Sequence, residues 1–89
     1  MKSTHLIVSG KVQGVFFRDS TRKKANELEL AGYVKNLSNG IVEIIVQGDE
    51  EKINELINFI KNNPGHSKVE EVKINYKELE KLDGFEIKF

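Results

Sequence analysis

The feature that most constrains this chain is the order in which its hydrophobic period changes. Residues 5–12 place Leu6, Val8, Gly10 and Val12 on one side and His5, Ile7, Ser9 and Lys11 on the other, the period of a strand with one better-buried face. After Gln13-Gly14 the period lengthens. From about Phe17 to Leu30, Thr21, Ala25 and Leu28 recur at helical spacing among Lys, Arg, Glu and Asn, which predicts an amphipathic helix ended by Gly32. Tyr33–Leu37 and Ile41–Gln47 are short runs of β-formers around Ser38-Asn39-Gly40, where Asn-Gly suits a type I′ turn. Asp49-Glu50-Glu51 puts negative charge on the first turn of a second helix, whose stripe is Ile53, Leu56, Ile57 and Ile60 and whose stop is Asn62-Asn63-Pro64-Gly65. Val69, Val72, Ile74 and Tyr76 suggest a further strand, and Phe85, Ile87 and Phe89 a short terminal one after Asp83-Gly84.

This order, βαββαβ plus a last strand, suits an α+β sandwich of the ferredoxin-like kind: an antiparallel sheet with both helices on one face. Its first two strands run parallel, because a right-handed crossover joins them, so their C-terminal ends share one edge of the sheet. The loop Gln13–Arg18 leaves the first strand at that edge, and Asn36, late in the second strand, arrives there too.

At 89 residues one domain, 1–89, is expected. Lys and Arg together number 14, as do Asp and Glu, so no overall field draws a nucleic acid, and any anion site must be local. There is no cysteine, which removes disulfides, thiolate chemistry and cysteine-ligated metals. The apolar run His5–Val8 is too short for a signal core or membrane span, so a cytoplasmic protein without membrane association is expected. A polar surface of mixed charge favours a monomer.

Gln13-Gly14-Val15-Phe16-Phe17-Arg18 leads from a strand into a helix, where backbone N–H groups lack intrahelical partners and the helix dipole is positive. Gly14 lets successive amides converge, and the planar guanidinium of Arg18 matches phosphate oxygens. Phe16 reads as a loop side chain and Phe17 as a core anchor, both lending N–H groups. Asn36 at the facing strand end can hold a water by donating and accepting at once. On spacing alone, Gly14 also reads as a tight turn, Arg18 as a solvent-facing side chain or a partner of Asp19, and Asn36 as turn chemistry. His5 and His66 read as surface histidines without a role, and the run Arg22-Lys23-Lys24 as a solvated face.

Two segments resemble the acylphosphatase family. Val8-Ser9-Gly10-Lys11-Val12-Gln13-Gly14-Val15-Phe16-Phe17-Arg18 looks like its first signature, and Gly32-Tyr33-Val34-Lys35-Asn36, followed by Gly40, Val42 and Gly48, its second. Tyr33 and Lys35 stand where many members have Trp and Arg, and Phe16 occupies a variable position often held by Gly. The resemblance implies the same βαββαβ fold and hydrolysis of acyl phosphates to carboxylate and inorganic phosphate. It implies no metal or organic cofactor, phosphate binding at Arg18 and water orientation by Asn36. Two other readings share the fold. An RNA-recognition module would stack bases on sheet aromatics, but Ile41–Gln47 holds none. A regulatory domain would bind an anionic metabolite in the same cradle without turnover.

Overall fold

The computed structural model describes residues 1–89. Five strands, β1 (Lys2–Lys11), β2 (Ala31–Asn36), β3 (Val42–Gln47), β4 (Lys68–Glu78) and β5 (Phe85–Lys88), and two helices, α1 (Phe17–Glu27) and α2 (Glu50–Lys61), follow one another as β1-α1-β2-β3-α2-β4-β5. The sheet order is β4-β1-β3-β2-β5. Its first four strands are antiparallel to their neighbours, and β5 adds to β2 in parallel.

The period-two faces become the core. Leu6, Val8, Val34, Val42, Ile44 and Val46 project to the side where Phe17 and Ala25 of α1 and Ile53, Leu56, Ile57 and Ile60 of α2 close over them. Each fully buried aliphatic or aromatic side chain contributes about 1.5–3 kcal/mol. Asp49 caps α2, its Oδ1 accepting from the N–H groups of Glu51 and Lys52 at 2.9 and 3.4 Å. At the opposite end of the sheet from the Gln13–Arg18 loop, Gln47 Nε2 donates to Ser3 Oγ and Glu80 O, and its Oε1 accepts from Leu82 N–H, all at 2.8 Å. These bonds hold the β4–β5 connection across the end of the sheet. Neither helix is long and apolar enough to cross a membrane.

Three local expectations need correction. The first helix stops at Glu27, not Leu30. Glu29 adopts a left-handed conformation at φ 58°, while Glu29 N–H donates to Asn26 O and Leu30 N–H to Ala25 O. That is a Schellman cap built without glycine, and Gly32 already belongs to β2. The hairpin does not use a type I′ turn, which would need positive φ at both Asn39 and Gly40. Only Gly40 has it, at 84°, and Leu37 N–H donates to Ile41 O, giving a three-residue loop with its left-handed position last. His5 is buried, not a surface residue: on the helix-free face its Nε2 lies 3.0 Å from Glu43 Oε2.

β1 and β2 both run antiparallel to β3, and Val42 lies opposite Val8 on one side and Asn36 on the other. The register therefore carries the end of β2 to the edge from which the loop after β1 departs.

Candidate active site

The loop after β1 alternates backbone handedness: Gly14 has φ 70° and Phe16 φ 63°, ψ 17°, while Val15 between them keeps a negative φ. Such alternation turns successive N–H groups toward one concavity, a nest for an anion. The N–H groups of Gln13, Gly14, Val15 and Phe16 donate to no backbone carbonyl. Phe17 and Arg18 then open α1, where the first amides have no intrahelical acceptor. No Cβ contact crowds Gly14, so its glycine serves the positive φ alone.

Gln13 contributes more than its N–H. Its Nε2 donates to the carbonyls of Leu37 and Ile41, both at 2.9 Å, and so ties the loop to the β2–β3 turn beside Asn36. A second brace comes from the segment after α2. His66 N–H donates to Val15 O at 3.0 Å, and a Cβ on Gly65, at φ 66°, would stand 2.7 Å from that same carbonyl oxygen. Sequence reasoning assigned neither contact. The Pro64-Gly65 pair signals a turn, and nothing in it tells which loop the turn packs against. Gln13→Ala is expected to destabilise the fold by about 1–3 kcal/mol, because two part-buried carbonyls lose their shared donor. Urea unfolding checks this, and kcat is expected to fall with it as Asn36 loses its register against the loop.

Phe17 is buried in the core, whereas the Phe16 ring is 69% exposed. Arg18 forms no ion pair. Asp19, the carboxylate beside it, is engaged instead by Arg22 Nη2 at 2.8 Å and Lys23 Nζ at 3.3 Å. Hydrogen bonds from Arg22 and then Lys23 hold the Asp19 carboxyl below its ordinary value. Because that folded value is lowered, the pairing is fully present above the ordinary carboxylate range and is lost only as pH falls through the lower value. Asp19 therefore does not compete for Arg18 at neutral pH.

The Arg18 guanidinium lies 4.9 Å from the centroid of the Phe89 ring, a cation–π contact that orients it. Phe89 follows β5, whose parallel register pairs Val34 with Ile87 and Lys35 with Lys88, so Phe89 comes level with Asn36. Asn36 Oδ1 is buried and has no hydrogen-bond partner in the protein. Buried polar atoms are nearly always bonded, so this acceptor stands ready for a donor from outside the chain. Gly14, Phe16, Arg18, Ile87 and Phe89 are among the residues lining a cleft of about 310 Å³. No group of three or more Asp, Glu or His side chains is placed to ligate a metal ion.

Known proteins share the sequence and the fold of this chain. The sequence model of the family described as Acylphosphatase matches residues 4–87. The chain is 49% identical over 75 residues to an acylphosphatase of Coxiella burnetii strain RSA 493, covering 84% of this chain and 77% of that one. It is 42% identical over 84 residues to an acylphosphatase of Haloquadratum walsbyi, covering 94% and 90%. The crystal structure of acylphosphatase from Bacillus subtilis superposes with a TM-score of 0.94 at 36% identity, over 100% of both chains.

Proposed function

The chain belongs to the acylphosphatase family and has that enzyme activity, and we propose how its residues divide the work of hydrolysing a carboxyl–phosphate bond. The amides of Gln13, Gly14, Val15, Phe16, Phe17 and Arg18, with the Arg18 guanidinium, bind the phosphoryl oxygens. Asn36 holds the attacking water. Residues 1–89 form one domain that acts as a monomer. The observation that carries the reading is the buried, unpartnered Oδ1 of Asn36 beside a loop whose amides and arginine are likewise free of protein acceptors.

Water attacks phosphorus while the bond from phosphorus to the bridging oxygen breaks, and the electron pair leaves with the carboxylate. Charge spread over the equatorial oxygens is met by preorganised donors, which need no reorientation as the bond breaks. Asn36 accepts a hydrogen bond from the water and fixes its approach, so the step becomes one of position rather than of basicity. The carboxylate is a good leaving group, and a phosphoryl oxygen takes the water's proton. No general base is required in this scheme.

The cradle binds the group common to substrate and product. Inorganic phosphate is therefore expected to inhibit competitively at millimolar levels when benzoyl phosphate hydrolysis is followed in EDTA. Noncompetitive inhibition, or loss of activity on chelation, would contradict the reading. A regulatory domain that merely bound the anion would show no turnover in the same assay.

A further inference from the structure

Resting on the assignment of loop 13–18 to the phosphate, we infer that this enzyme selects acyl phosphates whose acyl group is aromatic or an extended apolar chain, and that Phe16 and Phe89 read it. A phosphoryl group occupies only part of a cleft of about 310 Å³, and five of the eight residues lining that cleft are hydrophobic. With Gly14 and Arg18 taken up by the phosphoryl oxygens, what remains to meet the acyl group is mainly apolar.

The two rings are not where a soluble domain would leave them by default. Of five phenylalanines, Phe17 and Phe85 are buried in the core and Phe59 packs against it, while Phe16 and Phe89 are 69% and 95% exposed. Both exposed rings line this same cleft. Phe16 also sits at φ 63°, a conformation that glycine adopts freely and a residue with a Cβ resists. An aromatic side chain placed at such a position calls for a role that its backbone alone does not explain. Its ring meets His66 edge-on, with centroids 5.9 Å apart at 63°, which limits its swing. Phe89 stacks on the guanidinium assigned to the phosphoryl group. In the substrate the acyl carbon is one bridging oxygen from phosphorus, so a group bound at Arg18 presents its acyl chain to these rings.

The test compares kcat/KM for benzoyl phosphate and acetyl phosphate in the wild type, Phe16→Gly, Phe89→Ala and the double variant. The two substrates differ in intrinsic reactivity, so the quantity read is each variant's benzoyl-to-acetyl ratio relative to wild type. That ratio also cancels any inactive fraction. Each substitution is expected to lower it roughly tenfold, mostly through KM, the scale on which an apolar pocket discriminates. Phe89→Ala is further expected to slow both substrates, since Arg18 loses its stacking partner. In the wild type, benzylphosphonate is expected to inhibit about tenfold more tightly than methylphosphonate. An unchanged ratio in the double variant, or equal affinity for the two phosphonates, overturns the selectivity. Failure of the wild type to hydrolyse either acyl phosphate overturns the assignment beneath it instead.

Discussion

Arg18→Ala is expected to lower kcat/KM for acyl phosphates by roughly a hundred- to thousandfold, about 3–4 kcal/mol of transition-state stabilisation. The size follows from the surroundings. Asp19 is already held by Arg22 and Lys23, and Arg18 is the cation stacked on Phe89 beside the loop amides. Neither Arg22 nor Lys23 can move across without leaving Asp19. Arg18→Lys is expected to recover only part of the loss, because an ammonium cannot bind two oxygens in the plane of a fork. Both variants should melt close to wild type, since the Arg18 side chain makes no hydrogen bond or ion pair within the protein and its one contact, with Phe89, is at the surface, and the affinity for inorganic phosphate should fall with kcat/KM. Near wild-type turnover in Arg18→Ala would remove the arginine from the mechanism.

Asn36→Ala is expected to act on a different constant. Its side-chain oxygen makes no hydrogen bond within the protein, so removing it breaks no internal contact and the melting temperature should stay close to wild type. Phosphate, bound by the loop and Arg18, should still bind with nearly unchanged affinity, while kcat falls by about a hundredfold or more because the water is no longer held in line. If Asn36 instead served the β2–β3 turn, the variant would lose about 1 kcal/mol of stability and keep its turnover per folded molecule. Calorimetric titration with phosphate, thermal melts and single-substrate kinetics on the same preparation separate the two outcomes.

Most of the fold was legible because it rests on local periodicity. The change from period two to helical spacing marks every element, and the parallel relation of the first two strands places loop 13–18 and Asn36 at one edge. What stayed hidden depends on contacts between distant segments. Gln13 reads as a loop residue whose amide is useful, and only the folded chain shows its side chain bridging Leu37 and Ile41. The brace from Gly65 and His66 joins residues some fifty positions from the loop they support. His5 alternates onto the polar side of β1, yet it is buried there because Glu43 sits diagonally across on β3. The Schellman cap at Glu29 and the three-residue hairpin loop were missed for another reason. Glycine is the usual sequence marker of left-handed backbone, whereas in the first place the chain uses glutamate and in the second one glycine suffices.

The central claim is that phosphorus, gripped by the loop amides and Arg18, is attacked by a water held at Asn36 without help from a metal. Hydrolysis of benzoyl phosphate in ¹⁸O-water with EDTA present, followed by mass analysis of both products, tests it directly. The account predicts a single ¹⁸O in the inorganic phosphate, none in the benzoate, and a rate unaffected by the chelator. Label in the benzoate would place the attack at the carbonyl carbon, and loss of the rate in EDTA would place a metal in the site; either result contradicts the account.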